Sequence, residues 1–203
     1  MADALHSIDP QHTALLVMDY QVQIVDALSD ADALLSRTAD AIATVRRLGG
    51  RIGYVRVAFE DSDYAAIPST NKMAARVAAM GETLHSESPA TAVHAQVAPE
   101  AGDIVVRKTR VGAFSTTNLD EQLRGRGINS LILAGISTSG VVLSTVRDAA
   151  DRDYQVLVLS DACADREPDV HAFLTGKIFP RQADVITTTQ LEELLSPRDS
   201  ASE

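Results

Sequence analysis

The sequence predicts an α/β fold: a six-stranded, mainly parallel sheet covered by helices on both faces, a three-layer α/β/α sandwich. Two observations predict it. Short apolar runs rich in Val and Ile alternate along the chain with longer segments whose apolar residues recur every three or four positions. Each helical segment also separates one run from the next, so right-handed crossovers can lay the strands parallel. The runs are Ala14–Met18, Ile52–Val57, Ile104–Val106, Ser130–Ala134, Gln155–Leu159 and Asp184–Ile186.

Between the first two runs, Leu34, Leu35, Thr38, Ile42, Val45 and Leu48 fall on one helical face, and Gly49 and Gly50 end the helix. Further helices are expected over Ser69–Met80, Asn118–Gly125, Val141–Arg152, Val170–Phe179 and Gln190–Leu195. Gly81–Gly102 carries Pro89, Pro99 and small residues without periodicity, and reads as a long loop with a functional or contact role. The 203 residues suit one domain over residues 1–195, with 196–203 (SPRDSASE) expected as a disordered tail. No repeat and no second domain is evident.

Composition removes several classes of function. A net charge of −10 and a pI near 4.9 leave no cation excess to displace counterions from nucleic-acid phosphates. No apolar stretch reaches the roughly 18 residues of a membrane span. The N-terminus lacks the basic start of a secretory signal, and the single Cys163 can form no internal disulfide. A cytoplasmic protein acting on a small molecule is the expectation.

Ligands in open α/β sheets bind at the carboxyl ends of the strands. Asp19 directly follows the first run, Lys108 follows the third, and Gly135–Gly140 follows the fourth and opens a helix. A carboxylate and an ammonium at neighbouring strand ends would couple their protonation. The helix opening at Ser137, Thr138, Ser139, Gly140 and Val141 would offer N–H groups to an oxyanion or carboxylate, unless Thr138 or Ser139 serves only as an N-cap. Phe114 and Tyr20 flank the acid and the amine as pocket walls or core residues, and Arg56 and Arg110 are candidates to meet a substrate carboxylate. Glu60, Asp61 and Asp63 form a polar acidic loop, and His85 and His94 lack metal-site spacing, so neither a metal nor another cofactor is expected.

The segments TALLVMDYQ, VVRKTRVGAFSTTNLDEQLRGRGINSLILAG and GISTSGVVLSTVRDAADRDYQVLVLSDACAD resemble, in order and spacing, three blocks of the isochorismatase-like hydrolases. That superfamily includes nicotinamidases, carbamoylsarcosine amidohydrolases and isochorismatases. The resemblance spans Thr13 to Leu195 and implies strand order 3-2-1-4-5-6, a homo-oligomer, and Asp19 and Lys108 as two members of an Asp, Lys, Cys triad. At the third position the pattern starting at Gly135 and passing through Thr138 reaches Val141 instead of cysteine. A thioester route is therefore closed at that position. Cys163, Ser139 and Ser144 are poorly placed to substitute.

The isochorismatases proper also lack the cysteine and cleave a vinyl ether with a protonated aspartic acid. This chain departs from them at Ser137, Thr138, Ser139 and Val141. Three readings therefore stand at this level: cysteine-independent hydrolysis of a vinyl ether, cysteine-independent hydrolysis of a C–N bond, or an inactive relative that binds a small ligand or serves in assembly.

Overall fold

The computed structural model describes residues 7–195, so the tail expected at 196–203 lies outside the described residues. Six strands form one sheet: β1 (Thr13–Met18), β2 (Arg51–Val57), β3 (Ile104–Lys108), β4 (Ser130–Ile136), β5 (Gln155–Ala164) and β6 (Asp184–Ile186). Their order is β3-β2-β1-β4-β5-β6, and all five pairings are parallel. Every expected strand forms, three of them prolonged at their carboxyl ends toward the candidate site.

Eight α-helices connect or flank the strands: α1 (Val22–Val25), α2 (Ala31–Arg47), α3 (Asp61–Ala65), α4 (Met73–Met80), α5 (Leu119–Arg124), α6 (Leu143–Asp151), α7 (Pro168–Phe173) and α8 (Thr188–Leu195). The two-residue alternation of β1 divides the core. Leu15 and Val17 join Ile52, Tyr54, Ile132 and Ala134 beneath Leu35, Ile42 and Val45 of α2 and Leu191 and Leu194 of α8. Ala14, Leu16 and Met18 join Val55, Val106, Leu131 and Leu133 against Leu119 and Leu123 of α5 and Val146 and Ala149 of α6. β1 and β4 are buried along their whole length, as strands covered on both faces must be. A smaller apolar cluster of Phe59, Ile67, Val77 and Leu84 gathers α3 and α4 beyond the end of β2.

Departures from expectation concentrate around this smaller cluster and at helix openings. The helix expected over Ser69–Met80 is confined to Met73–Met80, its first turns replaced by turns around Pro68 and Asn71. The helix expected from Val141 is preceded by a turn of π-helix over Thr138–Val142. The helix expected over Val170–Phe179 starts at Pro168 and becomes π-helical over Leu174–Ile178. The long loop carries three short 3₁₀ turns. It is fastened to the sheet at Phe59, whose N–H donates to Leu84 O (2.9 Å) and whose carbonyl accepts from Ser86 N (2.9 Å).

Tyr20, one of the two aromatic wall candidates, faces the α2 side of the core. Its hydroxyl donates to the carbonyl of Ala162 (2.7 Å) and lies 2.7 Å from Thr38 Oγ1. Tyr20→Phe leaves that buried carbonyl without its donor and is expected to lower stability by about 1–3 kcal/mol in urea unfolding, with no change of fold by circular dichroism.

Candidate active site

The strand order places a topological switch between β1 and β4, the crevice where ligands of open α/β sheets bind. Asp19 stands at the end of β1, with Met18 paired to Gly135 of β4 on one side and Val55 of β2 on the other. Its φ is +59°, in the left-handed region that aspartate tolerates better than most residues. Its N–H donates to Val55 O (2.8 Å), so the backbone turns immediately after the strand. Lys108 ends β3, paired with Val57 of β2. The two residues are therefore two strands apart, about 9–10 Å across the sheet, a gap the long lysine side chain can span.

Lys108 Nζ lies 2.9 Å from Asp19 Oδ2. Asp19 is 5% exposed and Lys108 2%, so the pair is formed almost wholly out of water. The ammonium also donates to Arg110 O (3.2 Å) and Val111 O (3.0 Å), so three acceptors meet its three protons. Asp19 Oδ1, by contrast, is buried without a hydrogen-bond partner among the described residues. Burial pushes the Asp19 carboxyl above the ordinary carboxylate range, and the Lys108 ammonium, with a smaller contribution from the Val57 N–H, pulls against that rise without cancelling it. The result is a fixed cation beside a carboxyl group with one uncommitted oxygen.

The loop after β4 closes the crevice from the other side. A side chain at Gly135 would place its Cβ 2.8 Å from Val142 Cγ2 and 3.3 Å from Val141 Cγ1, so glycine is what allows the turn to approach β1 and β4. A Cβ at Gly140 would lie 2.7 Å from Ser137 Oγ and 4.0 Å from Val111 Cγ1. Val111 is the residue whose carbonyl holds Lys108, so the 137–142 turn packs on the segment that carries the ammonium. Ser137 follows a cis peptide bond from Ile136, and Thr138 is fully buried. Val141 is 2% exposed and belongs to the apolar cluster with Met18 and Val142.

Several side chains with bearing on this region carried no signal strong enough to single them out. Gln21, fully buried, accepts from Val57 N (2.8 Å) and donates to Val57 O (2.8 Å) and Thr91 O (2.9 Å), joining the ends of β1 and β2 to the long loop. Asp165, just after β5, accepts from Ser139 N (2.7 Å). Although burial opposes it, the hydrogen bonds from Ser139, Glu167 and Arg166 hold the Asp165 carboxyl below its usual range. His171 of α7 lies 2.8 Å from Thr138 Oγ1, and burial lowers its basicity against the opposing pull of Asp165. The position of Asp165 at a strand end was the available clue. His171 lay inside a segment read only for its helical period.

Other candidates are engaged elsewhere. Phe114 is buried with its ring stacked on Tyr154 at 6.1 Å and Arg152 above it at 5.1 Å. Arg56 donates to the carbonyls of Ser86 (3.1 Å) and Thr91 (3.4 Å), and Arg110 to that of Thr109 (2.8 Å). Cys163 is buried and paired in register with Gly135, and burial pushes its thiol up to about 12. His85 Nε2 lies 3.9 Å from Glu60 and 3.8 Å from Asp61. Among the described residues no group of three or more His, Cys, Asp or Glu is placed to hold a metal ion.

Fold and site together define an α/β sheet protein with a buried carboxyl–ammonium pair at its topological switch. Residues 13–190 match the isochorismatase domain, and the chain belongs to the isochorismatase family. It is 34% identical over 191 residues to the isochorismatase family protein YwoC of Bacillus subtilis, covering 92% of this chain and 96% of that one. It is 32% identical over 179 residues to the ureidoacrylate amidohydrolase RutB of Variovorax paradoxus, covering 78% and 70%. Among solved structures, an isochorismatase family protein of Burkholderia thailandensis superposes with a TM-score of 0.81 at 28% identity, covering 95% of this chain and 99% of that one.

Removing one member of the buried pair strands the other. Asp19→Asn leaves the Lys108 ammonium facing only neutral oxygens and is expected to cost about 3–5 kcal/mol of stability in urea unfolding, whereas Lys108→Met, which lets Asp19 take up a proton, is expected to cost less.

Proposed function

We propose that this protein hydrolyses a C–N bond of a small amide or ureido substrate without a cysteine nucleophile, with Asp19 as acid/base and Lys108 as its charge partner. The observation that carries this reading is the buried 2.9 Å pair whose second carboxylate oxygen, Asp19 Oδ1, has no hydrogen-bond partner among the described residues. Lys108, its protons spent on Asp19 and two carbonyls, orients the carboxyl group rather than donating to substrate. In the reaction, Asp19 Oδ1 accepts a proton from water as the water oxygen bonds to the substrate carbonyl carbon. Backbone N–H groups of the Ser137–Val141 turn other than those of Ser139 and Gly140, which donate to Asp165 and to Ser137 O, stabilise the resulting oxyanion. The proton then passes from Asp19 to the departing nitrogen as the C–N bond breaks, leaving an acid and an amine or ammonia. A carboxyl group raised by burial suits both transfers near neutral pH better than an ordinary one. Preference for a C–N bond over a vinyl ether is supported by the relatives named for amide hydrolysis.

One observation favours the second reading, an inactive member of the family that keeps the fold for binding or assembly. Val141 stands where the family pattern resembled by this chain has its nucleophile, and it is packed into the apolar core. A wild type inert toward every amide and ureido acid, converted to an active enzyme by Val141→Cys, would decide for that reading.

The hydrolytic reading is tested by ammonia release from a panel of primary amides and ureido acids. Asp19→Asn is expected to lower kcat by about 10²–10⁴-fold. Turnover in ¹⁸O-water is expected to place the label in the acid product, with no covalent adduct in the protein's mass spectrum. Undiminished turnover by Asp19→Asn, or an acyl adduct, would contradict it. Because the working form of Asp19 is deprotonated, activity is expected to rise with pH along an acid limb lying above the ordinary carboxylate range. Lys108→Met, by removing the opposing ammonium, is expected to move that limb to higher pH.

A further inference from the structure

We infer that His171 is a positioning residue, acting through Thr138 to fix the π-helical turn that follows β4, the strand paired with the one that ends at Asp19. The turn over Thr138–Val142 opens the helix continued by α6, and it is held from two sides. On one side, Gly140 packs near Val111, whose carbonyl binds Lys108. On the other, the segment after β5 grips two consecutive residues: Asp165 Oδ2 accepts from Ser139 N at 2.7 Å, and His171 Nδ1 lies 2.8 Å from Thr138 Oγ1.

Thr138 is fully buried, and its hydroxyl is engaged by the imidazole of His171. α7 contains no buried residue of its own, and its Phe173 is 58% exposed. Val170 packs this six-residue helix partly buried against the apolar core that holds Val141 and Val142, and the imidazole adds a polar contact to the turn. Within the turn, Gly140 N and Val142 N both donate to Ser137 O (3.2 and 3.3 Å), while Ser139 N and the Thr138 hydroxyl are held from outside it, by Asp165 and His171. The two side-chain contacts from residues 165 and 171 therefore set where those groups stand relative to Asp19. The catalytic consequence rests on the function proposed above; the positioning itself does not.

The experiment compares His171→Ala, Thr138→Val, the double variant and His171→Asn, which keeps a hydrogen-bonding amide near the Nδ1 position. Amide hydrogen exchange over residues 136–145 is read first, and kcat and KM second. His171→Ala and Thr138→Val are each expected to speed exchange of the turn about five- to tenfold, the equivalent of one hydrogen bond, with the double variant no faster than either. His171→Asn is expected to return exchange to within about twofold of wild type. On any substrate the wild type turns over, kcat is expected to fall in step with exchange while KM stays within about twofold, because the contact touches no substrate.

Unchanged exchange in both single variants, additive effects in the double variant, or His171→Asn as fast as His171→Ala would overturn the inference. Should His171→Ala fail to fold, Thr138→Val and His171→Asn carry the same comparison. A wild type with no turnover would defeat the proposed reaction and leave the exchange result to decide the role of His171. Altered exchange with kcat unchanged would overturn the catalytic consequence and support the positioning of the turn alone.

Discussion

A carboxylate and an ammonium 2.9 Å apart, both almost fully removed from water, set the terms for everything around them. Such a pair is costly to desolvate and is tolerated only where its remaining hydrogen-bonding capacity is largely met. Lys108 satisfies that condition through Arg110 O and Val111 O, which forces the chain after β3 to curl back over its own strand end. Asp19 meets the condition only halfway. Its Oδ1 has no partner among the described residues, and the proton transfer proposed for Asp19 uses that open acceptor.

The sheet supplies the distances. With β2 lying between β1 and β3, the acid and the amine are held two strands apart by backbone ladders that side-chain motion cannot alter. Gln21 then ties the ends of β1 and β2 together and to Thr91 in the long loop. Gly135 lets Val141 and Val142 of the turn after β4 approach the sheet closely beside Met18. Strand ends, a glutamine brace and one close backbone approach are enough to bring the Asp19–Lys108 pair and a helix opening into one neighbourhood.

Much of this was legible in the sequence for a specific physical reason. Strands covered on both faces are continuous apolar runs, and β1, β4 and β5 announce themselves by composition alone. Asp19 and Lys108 follow from the rule that ligands gather at carboxyl strand ends, and their pairing was a geometric expectation that the coordinates meet. The parts that escaped are those where periodicity has nothing to report. The four residues of α1 and five of α3 are too short to show a helical repeat. The π-helical turn at Thr138 and the π-helical end of the helix at Leu174 have no signature in the apolar repeat, and the first is held by a contact between distant segments, the Thr138–His171 pair. Gln21 was invisible as a brace because its partners, Val57 and Thr91, lie 36 and 70 residues away.

The measurement that bears most directly on this account is the titration of the Asp19 carboxyl carbon by ¹³C NMR, with Asp19→Asn to assign the signal and Lys108→Met as the comparison. A carboxyl group governed by burial and partly offset by Lys108 titrates above the ordinary aspartate range in wild type and higher still once the ammonium is gone. A wild-type midpoint at or below that range, or one indifferent to Lys108→Met, would contradict the claim that burial and this single cation together poise Asp19.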